Sequence, residues 1–434
     1  MSTFKVLIIG GGIAGPSLAY WLNRLSGHQG VNIPVTIVER NPDLRAQGQQ
    51  IDLRGQGLTV MRAMGLERAV RDKLVPEEGV QLLDKKGRQM AVLLANKTGK
   101  GKQALTSEFE IMRGDLVRIL YDVTKDNTEY IFGTSVTKLE DVVPDGFTQQ
   151  VKVTFSDGSF ATYDLVVGAD GQNSRTRKLM PGADAADPFA SLGVYQALFT
   201  VPRKAGSDSD LASVHHLVDN RFVATRADNP ETIQCGFAML SSSPRAHVIR
   251  EVIKSSVADQ RKAWAEVFAD GEWETPRFRD SLLHNPISHE SFYTYELGQV
   301  KTQTWSSGRV VLLGDAAYCP SPMTGFGTSL AMVGSYVLAG ELAQHMHGDG
   351  RVSDVPAALE AFDKVLRPLV EEVQKLPPGT PWLYYPGTEW GIWLLQTVVW
   401  VLVTLRVDKI AQMFGSDDRG TWRLPEYKVL RELE

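Results

Sequence analysis

The stretch Val6–Leu22, "VLIIGGGIAGPSLAYWL", decides the fold. Four apolar residues rich in β-branched side chains run into a glycine turn, and from Ala14 to about Ser26 apolar positions recur at helical spacing. In Gly10-x-Gly12-x-x-Gly15 the first glycine permits the tight turn and the second lets a pyrophosphate approach the backbone. The third allows the helix to pack closely on the strand. The helix start adds N–H donors and a partial positive charge. A second strand, Val35 to Arg40, carries Glu39 near its end, placed to accept hydrogen bonds from a ribose 2′-OH and to disfavour a 2′-phosphate. The alternative for Glu39 is a solvated strand-end charge. With all these parts in order, the stretch predicts a β-α-β unit, a parallel sheet and a tightly held NAD- or FAD-like dinucleotide.

Far along the chain, "LLGDAAYCPSPMTGFGTSL" (Leu312–Leu330) repeats the logic. The strand Val310 to Leu313 ends at Gly314-Asp315, and Gly325-x-Gly327 precedes an apolar helix whose first amides can face an anion or a polar ring edge. Two such elements, one near each end of the sequence, predict a long bent cofactor such as FAD, with Asp315 on a ribityl-type hydroxyl. Between them lies "GADGQNSRTR" (Gly168–Arg177), where Asp170-Gly171 follows the strand Leu165 to Val167. Alone, Asp-Gly is an ordinary turn dipeptide.

The 434 residues are 43% hydrophobic and 22% charged, enough for two or three layers or domains. A net charge of −5 without long basic runs gives a nucleic-acid partner no support. Cys235 and Cys319 have no Cys or His neighbours at metal-ligand spacing, so neither a metal site nor a disulfide scaffold is expected, and a reducing, cytoplasmic setting is. Phe4 to Ile9 reads as a strand, not a signal peptide. A helical pattern, Leu58 to Val70, precedes extended pieces around Val80 to Leu94 and a polar loop, Ala95 to Glu108. From about Gly193 to Phe292 alternating strands predict a mostly antiparallel sheet interrupted by one helix, about Val257 to Asp270. The expected class is α/β: a discontinuous Rossmann-like domain (residues 1–180 and 301–375), an inserted antiparallel sheet for substrate (181–300) and a C-terminal helical segment (376–434). A cleft between the domains is where ligands would sit. Gly391 to Leu405, uncharged but short of the ~20 residues of a span, is expected to pack as a helix, with interfacial membrane contact as the alternative.

Taken together, "GGGIAG" with Glu39, "ADGQNSRTR" and "GDAAYCPSPMTGFGTSL" resemble the single-component FAD-dependent aromatic hydroxylases typified by para-hydroxybenzoate hydroxylase, over about Lys5 to Leu342. "QQIDLRGQGLTVMRAMGL" and "FEIMRGDLVRIL" are similar to the tetracycline-inactivating and natural-product flavin monooxygenases of that class. The resemblance implies that Glu39 and Arg40 hold the adenosine ribose region, that Asp52 and Arg113 lie at the flavin, and that Asp315 binds the ribityl chain. It also implies that Pro322, Gly325, Gly327 and Thr328 border the isoalloxazine. Gln196, Arg221 and Gln234 are the positions nearest the substrate-facing Gln, Arg and His of those enzymes. His215 and His216, adjacent on a strand, point to opposite faces, and a structural role is expected for both. Two departures stand out: Tyr318 where the family often has His, and "GFGTS" with Phe326 and Ser329 for the usual "GQGxN".

The implied reaction consumes NAD(P)H as a transient co-substrate and O2, and transfers oxygen from a flavin C4a-hydroperoxide to an electron-rich carbon of a bulky aromatic or polyketide-like natural product. Rivals on the same fold are a halogenase, whose usual Trp-x-Trp-x-Ile stretch is absent from the sequence, and an oxidase or reductase. A non-catalytic FAD-binding protein is the rival from another class.

Overall fold

The computed structural model describes residues 2–26, 31–44, 48–94, 108–143, 149–182, 187–346, 354–405 and 422–431. Most of the polar loop expected at Ala95 to Glu108 lies outside them.

Val6–Ile9 is buried along its whole length and pairs in parallel with Val35–Glu39 on one side and Leu165–Gly168 on the other. Thr128–Phe132 extends the sheet beyond Val35–Glu39, and Val310–Leu312 joins beyond Leu165–Gly168. Only the short edge strand Ser306–Ser307 runs antiparallel. Continuous apolar runs suit a sheet covered on both faces. Here Ala14–Leu25 packs on the sheet, and Gly327–Gln344, apolar all round and buried along almost its whole length, packs on Ala14–Leu25.

A second, seven-stranded sheet runs in the order Tyr293–Val300, Phe189–Pro202, Thr232–Leu240, Arg221–Ala227, Ala212–Leu217, Gly79–Leu83, Gln89–Leu94. It is antiparallel except where Ala212–Leu217 meets Gly79–Leu83. The last two strands correct the expected division, because residues 79–94 belong to this sheet although they precede position 180. One face packs on helices through Phe199, Phe237, Trp264, Phe268 and Phe278. The single helix expected at Val257 to Asp270 is one of four, Ala246–Val252, Val257–Val267, Thr275–His284 and Pro286–Ser291. Pro276 and Pro286 start the last two, where a missing N–H costs nothing. Likewise the pattern Leu58 to Val70 splits at Gly65 (φ +70°) into Gln56–Ala63 and Glu67–Arg71.

Glu389–Thr404 forms the expected C-terminal helix, held to the body by buried Ile392 and by Gln396, whose Nε2 donates to the Leu83 carbonyl at 2.9 Å. Trp390, Trp393 and Trp400 on this helix are exposed. No helix of the described residues is long and apolar enough to cross a membrane.

Candidate functional site

A cleft of about 780 Å³ opens between the two sheets. Its nucleotide end is made by the glycine turn. Gly10 has φ +117°, and a Cβ there would lie 2.5 Å from the Ala169 carbonyl oxygen. A Cβ on Gly15 would lie 2.2 Å from the Gly10 oxygen, so this glycine serves helix-strand contact and does not line the cleft. Gly12 does line it, and a Cβ there would meet only Arg113 Nη2 at 3.4 Å. Glu39 sits beside this turn, taking the Gly11 N–H on Oε2 and the Asn41 N–H on Oε1, both at 2.9 Å. Arg40 is exposed at the rim.

Two long helices begin at the cleft, Ala14–Leu25 and Gly327–Gln344, and neither has a side-chain cap or an acidic residue in its first turn. Some helices elsewhere are capped, Ser256, Asp354 and Thr388 each accepting a first-turn N–H, while others such as Ala246–Val252 and Thr275–His284 are not. Uncapped N–H groups facing a cleft from two directions fit a ligand with an anionic middle and a polar ring. Gly325 (φ +67°) ends the short helix Pro322–Thr324 and places the second helix start against Asp52 and Arg54. Asp315, Pro322, Gly327 and Thr328 line the same wall. Burial pushes the Asp315 carboxyl up, against the pull of the Cys319 thiol and of Arg113.

The central motif is mainly a brace. Asp170 accepts from Ser174 Oγ (2.5 Å), the Arg175 and Thr176 N–H groups and Thr176 Oγ1, fixing Arg175–Leu179. Arg177 reaches across to the Ala316 carbonyl (2.7 Å), locking this motif to the short helix Asp315–Tyr318 that follows the strand Val310–Leu312. Tyr318 turns into the core beside Trp305 and does not line the cleft. Ser329 Oγ accepts the Arg54 N–H at 2.9 Å and lies against Gly57, where a Cβ would come within 2.6 Å.

Opposite lies the second face of the antiparallel sheet. Along Arg221–Ala227 the even positions Ala224 and Arg226 line the cleft, whereas Arg221 is fully buried under the helices, bidentate to Asp270 (2.8 and 3.0 Å) and donating to the Val267 carbonyl. Arg221 is therefore corrected: strand periodicity puts it on the wrong face for substrate. Gln196 and Gln234 do line the cleft. Gln234 is largely engaged already, accepting the Gln50 N–H (3.1 Å) and donating to the Gly48 carbonyl (3.0 Å). It ties the loop before Asp52 to the sheet. Tyr295 donates to Gln196 Oε1 and Gln49 Oε1, both at 3.1 Å, and stacks on Tyr293. Sequence reasoning missed Tyr293, Tyr295, Gln49 and Arg226; the alternation in "FYTYELG" was the available signal. His215 and His216 bond to the Asp84 and Tyr384 carbonyls, away from the cleft.

Arg226 belongs to a cluster of charges. Its Nε and Nη2 donate to both oxygens of Glu77 (3.0 and 2.7 Å), and Nη2 also to Glu110 Oε2 (2.9 Å). Gln50 Nε2 donates to the same Glu110 oxygen at 2.8 Å. Asp52, opposite Glu110 in a two-stranded pair, is bridged to Arg54 at 2.8 Å.

A cleft with two uncapped helix starts, Glu39 beside the glycine turn and an amphipathic sheet face suits a dinucleotide cofactor, and comparison with known proteins identifies the class as FAD-dependent monooxygenases. Residues 3–373 match the family described as FAD binding domain, and the chain belongs to that family. It is 37% identical to the FAD-dependent monooxygenase asL4 of Sarocladium schorii, over 99% of each chain. Against the flavin-dependent monooxygenase eupH of a Phoma species it is 36% identical, over 92% of this chain and 91% of the relative. Among solved structures, tetracycline destructase Tet(51) superimposes with a TM-score of 0.73 at 28% identity, covering 98% of this chain and 99% of the other. The chain is thus an FAD-dependent monooxygenase of the class A type.

Proposed function

We propose that this monooxygenase uses NAD(P)H and O2 to hydroxylate a bulky aromatic or polyketide-like molecule. The observation that carries the reading is the amphipathic sheet face opposite the flavin wall: Leu198, Ala224 and Gly236 form an apolar floor, with Gln196, Arg226 and Tyr293 around it. Bound FAD supplies reduction by a nicotinamide and activation of O2. Gly10, Gly12 and the first turn of Ala14–Leu25 take the pyrophosphate, and Glu39 with Arg40 takes the adenosine ribose. Asp315 takes the ribityl chain. Asp52, Arg113, Pro322, Gly325, Gly327 and Thr328 border the ring. Gln196 orients the substrate from the sheet, while Gln234 sets the loop carrying Asp52 and excludes water from that side.

The test is substrate-stimulated NADPH oxidation across a panel of phenolic polyketides, with products weighed after reaction under ¹⁸O2. One labelled oxygen in the product supports the reading, and reduction or halogenation without oxygen insertion refutes it.

The exposed tryptophans of Glu389–Thr404, together with exposed Trp382 and Leu383, favour a second reading, peripheral contact with a lipid interface. Co-sedimentation with phosphatidylcholine vesicles that is lost in Trp390→Ser/Trp393→Ser supports it. Concentration-dependent dimerisation without vesicle binding would assign the face to a second copy instead.

A further inference from the structure

Behind the cleft wall, where Asp52 and Arg226 line it, Asp52 pairs with Arg54, and Arg226 with Glu77 and Glu110. Glu77 takes the fork of Arg226, and Asp52 pairs with Arg54, which leaves Glu110 as the third carboxyl against two cations. Its Oε2 already accepts from Gln50 and Arg226, and Asp52 stands directly across the strand pair from it. Two carboxyls facing each other across a strand pair repel when both are ionised, which favours one of them keeping its proton. Charge counting gives the same answer. The Glu77 and Glu110 side chains are 1% and 4% exposed, and such a cluster is neutral only when it keeps one proton. Burial holds the Glu110 carboxyl well above the usual range, with the charges of Asp52 and Glu77 acting the same way against the pull of Arg226. Asp52 is the member that opens on the flavin wall, with Oδ2 3.5 Å from the Cβ position of Gly325.

Resting on the monooxygenase reading, we propose that the Asp52–Glu110 pair stores one proton and delivers it into the cleft at Asp52. The O–H bond of Glu110 breaks and its proton passes to Asp52. Asp52 then gives a proton to an acceptor oxygen of the reacting molecules. The cluster gains one negative charge, and a proton from water entering the cleft restores it. Glu110 acts through Asp52, and the Glu77–Arg226 pair positions Glu110.

Glu110→Gln is the informative variant. An amide still accepts from Gln50 and Arg226, but it holds no transferable proton. Infrared spectra of the FAD-bound protein in H2O and D2O should show the deuterium-sensitive carbonyl stretch of a buried carboxylic acid in the wild type. Glu77→Gln should keep this band and Glu110→Gln should lose it. In turnover, Glu110→Gln should retain FAD and substrate affinity, lose about 100-fold in rate, and lose the alkaline fall in rate that marks Glu110 giving up its proton. An unchanged band in Glu110→Gln overturns the storage. A lost band with unaltered rate and pH profile overturns the delivery. Should Glu110→Gln not accumulate, Asp52→Asn carries the same test, because the band must shift when its partner changes. A protein that inserts no oxygen refutes the monooxygenase reading and the delivery with it, while the band separately decides whether the pair stores a proton.

Discussion

Arg221 and Arg226 stand five residues apart on one strand and on opposite faces of one sheet. Under the helices Arg221 is wholly buried against Asp270 and two backbone carbonyls, in a wall of aliphatic and aromatic side chains. On the cleft side Arg226 is clamped by the carboxyl groups of Glu77 and Glu110 yet keeps a third of its side chain open. One face of the sheet is an apolar core into which Arg221 is set with Asp270 as its partner, and the other is a network of polar groups whose charges balance only as a set. Identical side chains thus take opposite roles according to strand parity, and stability should be lost on one face and binding chemistry on the other.

The strongest way to break this contrast is Arg221→Ala. Removing a fully buried partner should cost roughly 3–4 kcal/mol in urea unfolding, with FAD affinity unchanged at a temperature where the variant is folded. A large loss of FAD affinity in folded Arg221→Ala would mean that the two faces are not separate. Next comes His216, whose buried ring is held down to about 4. Between its ordinary value and about 4 the unfolded chain binds the proton and the folded one does not, so stability falls as pH drops through that window. The loss should reach about 3 kcal/mol, and His216→Gln should flatten this part of the stability-pH curve. Arg226→Gln should cost about 2 kcal/mol, the size of charged hydrogen bonds lost. Adding Glu77→Gln should recover part of that, since the pair is coupled, and a double-mutant cycle measures it. Tyr295→Phe, which frees Gln49 and Gln196, should cost about 1 kcal/mol and raise KM more than it lowers kcat. Trp393→Ser, on the exposed helix, should change stability by less than about 0.5 kcal/mol.

Legibility in the sequence follows the same divide. The glycine turn, Glu39 and the second helix start are readable because their chemistry is backbone geometry within a few residues, and neighbours in sequence are neighbours in space. Alternation at Arg221–Ala227 is equally visible, but which parity faces the cleft depends on where the helices at 246–291 dock. That is why Arg221 was expected where Arg226 stands. Gln234 illustrates a third case, since its position on the cleft is legible but its partners are the backbone of residues 48 and 50, some 185 positions away. Residues 79–94 were hidden for a similar reason: an edge pair attaches to whichever sheet offers a matching register, and here that partner is Ala212–Leu217.

The pairing of Val6–Ile9 with Leu165–Gly168, and of that strand with Val310–Leu312, has a consequence for biogenesis. At a ribosomal pace of ~5–20 residues per second, the first strand waits roughly 15–60 s before the last parallel member of its sheet has been made. The glycine turn exists within the first seconds of translation, yet the wall carrying Asp315 is translated more than three hundred residues later. Flavin capture is therefore a late event in the life of the nascent chain. Until then an apolar parallel sheet has an open edge that invites chaperones or aggregation.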